Sequence, residues 1–198
     1  MCGGWRPPRQ PEAAAIATRL LLLCAGPTAA LRRGGFSRPD DPLDPAGEAK
    51  RTALAPPARN GRVVTSGWRA ARETAARLSP EPAVEPALAD QDPGDWAGLP
   101  FEAIDPEALR AWIAAPDAGP PGGESLVAVV ARVAPWLDRL RGGGGAVVAV
   151  THPAVVRAAL ACALDLPVVA TLAIDVAPLS VTRLSFHDRW RLQELRRA

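Results

Sequence analysis

The chain has 198 residues, of which 48% are apolar, and its formal net charge is +2. These values fit one globular domain with a core, and they argue against a nucleic-acid-binding surface. No apolar run approaches the roughly 20 residues that a membrane-spanning helix needs. The three cysteines, Cys2, Cys24 and Cys162, lack metal-ligand spacing. We therefore expect no metal, no disulfide framework and a reduced, cytoplasmic location.

The first segment of the chain is open to two interpretations. Residues 1–17, MCGGWRPPRQPEAAAIA, show no hydrophobic period, which predicts a disordered leader. The run RLLLLC at 19–24 could be the apolar part of an export signal or a buried strand. Arg19 interrupts the apolar stretch that an export signal requires, whereas Gly26 and Pro27 bound the run as they would a strand. We predict a strand at 19–24, in one domain over residues 18–198.

Helical and strand patterns alternate along the rest of the chain. Asp44 followed by Pro45 is typical of a helix start, and the apolar spacing of residues 124–140 is that of an amphipathic helix. We predict helices at 43–55, 67–78, 101–104, 106–114, 124–140 and 153–164, and further strands at 61–66, 146–152, 171–176, 180–187 and 190–195. The last two strands are predicted to form an antiparallel hairpin.

This alternation predicts a three-layer α/β/α fold. Its sheet is mainly parallel, with helices on both faces and an antiparallel edge at the C-terminus, because the first strands are almost continuously apolar. Ligands of such sheets bind outside the carboxyl ends of the strands. Three strand ends carry marked residues, in the stretches CAG, SGWR and TH, and we expect them to face one cleft.

Six stretches of the chain, taken in order, resemble the histidine phosphatase superfamily, in its phosphoglycerate-mutase-like branch. They are LLLLCAGPT, FSRPDDPLDPAGEAK, SGWRAARETA, LADQDPGDWAGLPFEAI, GGESLVAVVARV and VVAVTHPAVVRAAL, and they cover roughly residues 18–195. The resemblance implies phosphoryl transfer through a phosphohistidine, a small phosphorylated molecule as the ligand and no cofactor. The net charge and the lengths of the apolar runs predict that neither nucleic acid nor a membrane is a partner, and the oligomeric state is left open.

The resemblance also assigns roles to single residues. It places the nucleophilic histidine at Ala25, the two phosphate-clamping arginines at Cys24 and Ala70, the general acid at Asp90 and the second histidine at His152. Alanine cannot attack phosphorus, and a phosphate without its arginines would be a poorly compensated charge. The candidate substrate-binding residues are the retained turn residues Gly26 and Thr28 and the neighbouring cations Arg32, Arg69 and Arg72.

Three functions remain open for such a chain. The first is a small-molecule phosphomonoesterase or mutase, by resemblance, whose catalysis is impaired. The second is a non-catalytic module that binds an anion or a partner on the same fold. The third is a hydrolase that has recruited His152, Asp90 and Cys24 for a new purpose.

Overall fold

One six-stranded sheet organises the protein. The structure, a computed structural model, describes residues 17–52 and 61–197. The strands lie in the order β3-β2-β4-β1-β5-β6. Their bounds are β1 Thr18–Cys24, β2 Gly61–Thr65, β3 Ala83–Val84, β4 Ala146–Thr151, β5 Val181–Phe186 and β6 Trp190–Arg196. The predicted leader over 1–17 lies outside the described residues except for its last residue.

The pairing of the strands confirms the predicted fold class. β1, β2 and β4 are parallel neighbours, and the short β3 pairs parallel with β2. β5 runs antiparallel to β1, and β6 antiparallel to β5, so the C-terminal hairpin forms the antiparallel edge. RLLLLC is thus the core of β1, which lies between β4 and β5.

Both faces of the sheet are covered by helices. The helices are α1 Ala29–Arg32, α2 Pro45–Arg51, α3 Arg69–Ala75, α4 Pro106–Ala114, α5 Leu126–Leu140 and α6 Pro153–Leu164. Leu20 and Leu22 of β1 belong to the core cluster that includes α5 and α6, while Leu23 belongs to a second cluster with α3. Because successive strand residues point to opposite faces, a strand covered on both sides must be apolar throughout.

Local sequence signals set the starts of two helices. The start of α2 is as predicted, whereas α5, predicted from residue 124, begins at Leu126. The Asp44 carboxylate accepts a hydrogen bond from the backbone N–H of Gly47, and Pro45 occupies the first turn of α2. In α5 the Ser125 hydroxyl accepts from the N–H of Ala128 at 3.1 Å. Residues 53–55, the predicted end of the helix at 43–55, lie outside the described residues.

The predicted strand at 171–176 is wrong. Residues Val168–Ala173 form a 3₁₀ helix instead. The N–H of Ala170 bonds to the carbonyl of Pro167 at 2.9 Å, and the Thr171 hydroxyl bonds to the carbonyl of Val168 at 2.6 Å. These local bonds satisfy backbone groups that a strand would have paired with a neighbour.

The segment between β3 and α5, which we call the cap, is built from α4, loops and 3₁₀ turns at Pro86–Leu88, Gly94–Trp96 and Phe101–Ala103. Aromatic rings join it to the loop after α1: Phe36 of that loop lies 5.6 Å from Trp96 and 5.4 Å from Trp112, centroid to centroid. Trp96 and Trp112 thus pack within the cap.

Among the described residues, no helix is both long enough and apolar enough to cross a membrane.

Candidate functional site

A cavity of about 330 Å³, the strand-end cavity, lies at the carboxyl ends of the central strands. It is bounded by residues that follow β1, β2 and β4 and by the cap, as expected for an open α/β sheet. All four residues predicted to share a cleft line it, namely Ala25, Ala70, Asp90 and His152. Cys24, Gly26 and Thr28 line it as well. The roles that the resemblance assigns to these residues stay predictions.

Three small side chains stand at the positions that the resemblance gives to the nucleophile and the clamps. Cys24, Ala25 and Ala70 are 2%, 6% and 5% exposed. Burial raises the pKa of the Cys24 thiol far above its ordinary range, and the negative charge of Asp90 adds to this while Arg157 opposes it. The thiol is therefore protonated at neutral pH and is not a nucleophile.

The polar groups of Gly26 and Thr28 are already engaged by the protein. The N–H of Gly26 donates to the Thr74 hydroxyl at 3.0 Å. The Thr28 hydroxyl accepts from the N–H of Leu31 at 3.1 Å, which caps α1, and bonds to the Ser37 hydroxyl at 2.6 Å. These two residues shape the turn after β1, and a ligand would have to compete for their hydrogen bonds.

His152 is held from both sides of its ring. Nε2 lies 2.9 Å from the Ser66 hydroxyl, and Nδ1 lies 3.3 Å from Oδ2 of Asp90. The Ser66 oxygen also accepts from the N–H of Trp68 at 3.1 Å. The ionised Asp90 carboxylate can only accept, so the ring proton belongs on Nδ1 and the serine proton points to Nε2. The hydrogen-bond network therefore assigns the imidazole proton to Nδ1, facing Asp90.

The same surroundings keep the ring neutral. Burial lowers the pKa of His152 below its ordinary value; the Asp90 carboxylate opposes this shift, and the positive charge of Arg132 adds to it. At neutral pH His152 is an uncharged imidazole and contributes no positive charge to the cavity.

The order Asp90–His152–Ser66 matches that of a hydrolase triad, in which the carboxylate orients the histidine and the histidine activates the serine. Ser66, however, is fully buried at 0% exposure and is not part of the cavity wall. A substrate cannot reach its oxygen, so the serine orients His152. Sequence analysis singled out SGWR at the end of β2 but did not pair its serine with His152.

A second group that sequence analysis missed fixes the loop carrying Asp90. The guanidinium of Arg132 donates to the carbonyls of Ala87, Ala89 and Asp90 at 2.7, 2.9 and 3.0 Å. It also forms a two-pronged ion pair with Glu124, with N–O distances of 2.8 and 2.9 Å. Arg132 therefore positions the backbone of Asp90.

The three cations predicted from sequence lie elsewhere, and none of them lines the cavity. Arg32 pairs with Asp44 at the start of α2. Arg69 pairs with Glu73 at 2.8 Å, and Arg72 is exposed. The reason is the orientation of α3, whose buried face is Ala70, Ala71, Thr74 and Ala75, so that Arg69 and Arg72 point away from the site.

Two other arginines line the cavity instead. Arg38 is exposed, and its guanidinium packs so closely against Gly98 that a side chain at that position would collide with it. Arg157, on α6, is half-buried and donates from Nε to the carbonyl of Ile174 at 3.1 Å. Burial lowers the pKa of the Arg157 guanidinium, while the negative charges of Asp175 and Asp90 oppose the shift.

No group of three or more histidine, cysteine, aspartate or glutamate side chains suited to a metal ion occurs among the described residues.

Comparisons with known proteins connect this geometry to a family. The chain resembles the structure of the mycobacterial glucosyl-3-phosphoglycerate phosphatase, with 30% identity and a TM-score of 0.75, over 89% of this chain and 97% of that one. It is also similar to a structure described as mycobacterial hydrolase 1, with 32% identity and a TM-score of 0.78, over 90% of this chain and 97% of that one.

A curated relative matches over a part of its length. The bifunctional protein Rv2228c of Mycobacterium tuberculosis is 36% identical over 180 residues, which is 83% of this chain and 50% of the relative. The chain thus spans about half of that protein. The family model of the histidine phosphatase superfamily (branch 1) matches residues 20–197. The resemblance predicted from the sequence is therefore confirmed, and the chain belongs to the histidine phosphatase superfamily.

Proposed function

We propose that this chain binds a small anionic molecule in the strand-end cavity and is impaired as a phosphomonoesterase. The observation that carries the proposal is that alanine stands at position 25 while both ring nitrogens of His152 lie beside side chains of the protein. Phosphohistidine chemistry needs an imidazole nitrogen free to attack phosphorus. Ala25 has none, and both nitrogens of His152 face partners at 3.3 Å or less.

Among the described residues that line the cavity, no thiolate and no free imidazole replaces the missing nucleophile, and the hydroxyls of Thr28 and Ser37 are bonded to each other. The Cys24 thiol is buried and protonated, as its raised pKa requires. The other described histidine, His187, is exposed in the turn between β5 and β6. We therefore expect a water molecule as the attacking group. Asp90 already accepts a hydrogen bond from the N–H of Gln91 at 2.9 Å, and its other oxygen lies 3.3 Å from Nδ1 of His152.

The electrostatics also disfavour phosphoryl transfer. Most of the rate of such reactions comes from positioning the phosphoryl group and neutralising its charge. Cys24 and Ala70 supply no charge at the positions of the two clamps, and His152 is neutral. The cations that line the cavity, Arg38 and Arg157, can attract an anion from its walls.

A second candidate function is a slow phosphomonoesterase that retains Asp90 and His152. The similarity to a mycobacterial phosphatase at 30% identity, along 97% of its length, favours this candidate. In it, Asp90 would protonate the leaving oxygen, and a water molecule would attack in place of the lost histidine.

Hydrolysis of p-nitrophenyl phosphate separates the two functions. We expect the purified protein to release nitrophenol no faster than buffer does, and to incorporate no acid-labile phosphate. The mycobacterial glucosyl-3-phosphoglycerate phosphatase serves as the positive control. Turnover that disappears in His152→Ala would establish the second function and contradict the proposal. Turnover that survives in His152→Ala would place the catalytic centre elsewhere and contradict both.

A further inference from the structure

A second cavity of about 260 Å³, the cap cavity, adjoins the strand-end cavity. The two share Gln91, Trp112, Ala154 and Arg157 as walls. The remaining wall of the cap cavity is apolar throughout, formed by Ile113, Ala115, Pro116, Ala118, Leu126 and Leu172. Together the two cavities have the size and the apolar character of a small-molecule site with few polar groups.

Arg157 is the charged group at the boundary of the two cavities. In the part of the chain that the structure describes, its guanidinium makes one hydrogen bond, from Nε to Ile174, and no salt bridge. The carboxylates of Asp175 and Asp90 lie near enough to oppose the fall in its pKa, but neither forms an ion pair with it. Burying a cation that lacks an ion pair is costly, and an anion that reaches it from the cavity would offset that cost. The guanidinium fork suits a carboxylate or a phosphate equally.

The strand-end cavity is a poor host for a bare phosphate ion. Its floor is formed by Cys24, Ala25 and Ala70, which are almost fully buried and offer no cation. The Asp90 carboxylate also lines this cavity and would repel a second negative charge. The favourable place for an anionic group is therefore beside Arg157, with its apolar remainder in the cap cavity.

We propose that the natural ligand is an amphipathic anion, whose charged group binds Arg157 and whose apolar body lies in the cap cavity against Trp112 and Leu172. This inference rests on the proposed function, because it names the ligand class of that site. Apolar surface that leaves water stabilises the complex in proportion to its area, so the apolar body supplies most of the affinity. The charged group supplies the orientation.

A ligand series on the unmodified protein tests this ligand class. The probes for isothermal titration calorimetry are 1-naphthoate, 1-naphthyl phosphate, 1-naphthol and inorganic phosphate. Both naphthyl anions should bind at least about tenfold tighter than inorganic phosphate, which lacks the apolar body, and than naphthol, which lacks the charge. The stronger of the two naphthyl anions identifies the charged group as a carboxylate or a phosphate ester.

Single variants then assign the contacts. Arg157→Gln should weaken naphthoate binding about tenfold or more, and Arg157→Lys, which keeps the charge, should weaken it less. Ile113→Ser should weaken naphthoate several-fold and leave inorganic phosphate unchanged. Arg110→Gln is the matched control, because Arg110 is an exposed arginine on α4 that lines neither cavity, and its binding should equal that of the unmodified protein.

Three outcomes would overturn the inference. They are equal affinity for naphthoate and inorganic phosphate, equal affinity for naphthoate and naphthol, and equal losses in Arg157→Gln and Arg110→Gln. The proposed function fails differently. Release of fluorescent naphthol from 1-naphthyl phosphate would reveal phosphatase activity and contradict the proposed function. Naphthoate cannot be hydrolysed, so its affinity relative to naphthol and inorganic phosphate would still test the ligand class.

Discussion

Replacing Arg132 by methionine removes the group that ties the cap to α5. Methionine keeps much of the apolar stem but loses five hydrogen bonds, two to Glu124 and three to the carbonyls of Ala87, Ala89 and Asp90. Glu124 is left as a carboxylate that is only 21% exposed. Breaking a fully buried ion pair costs about 3–5 kcal/mol, and the partial exposure reduces this, so we expect a loss of about 3 kcal/mol in the free energy of unfolding.

Arg139 provides a control on the same helix. Its ion pair with Glu85 is longer, at 3.3 Å, and its side chain is 61% exposed. Exposed pairs contribute little, so Arg139→Met should change the free energy of unfolding by no more than about 0.5 kcal/mol. Removing the orphaned charge in the double variant Arg132→Met, Glu124→Gln should recover part of the stability lost in Arg132→Met alone.

Urea unfolding followed by circular dichroism and tryptophan fluorescence measures these differences. A loss of about 3 kcal/mol corresponds to a fall of about 6–12 °C in Tm for a chain of this size. Equal effects of Arg132→Met and Arg139→Met would refute the reasoning, since the two arginines differ mainly in burial and in the number of bonds. A double variant Arg132→Met, Glu124→Gln that is less stable than Arg132→Met alone would also refute the reasoning.

Three further predictions concern the strand-end cavity. Because the pKa of His152 is lowered in the folded state, the unfolded chain binds more protons below about pH 6.5, and the free energy of unfolding should fall as the pH drops from about 7 towards 5. When the free energy of unfolding is measured against pH, its slope should be smaller in His152→Gln than in the unmodified protein. The control His187→Gln, at an exposed site, should keep the slope of the unmodified protein. The buried Cys24 thiol should resist iodoacetamide in the folded protein at pH 8 and react in urea, as followed by mass spectrometry; rapid labelling in the folded state would contradict its raised pKa. The triple variant Cys24→Arg, Ala25→His, Ala70→Arg should hydrolyse p-nitrophenyl phosphate far faster than the sum of the single variants, because catalytic groups that act as a unit are not additive; a folded triple variant without activity would contradict this.

The strands and most helices of this protein follow from local patterns. The apolar side chains of a run such as RLLLLC are all shielded from water only where both faces of the strand are covered. β1 lies in such a position, between β4 and β5. Asp44 with Pro45, and Ser125 before an amphipathic period, mark helix starts because they satisfy or omit N–H groups of the first turn. These features depend on neighbours within a few residues, which the sequence shows directly.

The stretch at 171–176 marks the limit of such patterns. Its apolar residues suit a strand as well as a buried turn, since a short apolar run has no period that separates the two. The segment forms a 3₁₀ helix because Pro167 and the Thr171 hydroxyl close a turn within it. In addition, both edges of β1 are already paired, with β4 and with β5.

The sequence by itself determined which residue types stand at the strand ends, and so the small side chains Cys24, Ala25 and Ala70 at the positions that the resemblance gives to a histidine and two arginines. Only the tertiary structure decided which charges reach the cavity. Arg69 is adjacent to Ala70 in sequence yet faces away from it, whereas Arg157 reaches the cavity from α6. The order of residues in the chain places each residue on a helix or strand, but the packing of the helices on the sheet determines which side of that helix or strand is buried. The packing depends on contacts between residues far apart in the chain, such as Ser66 and His152, which are separated by 86 positions.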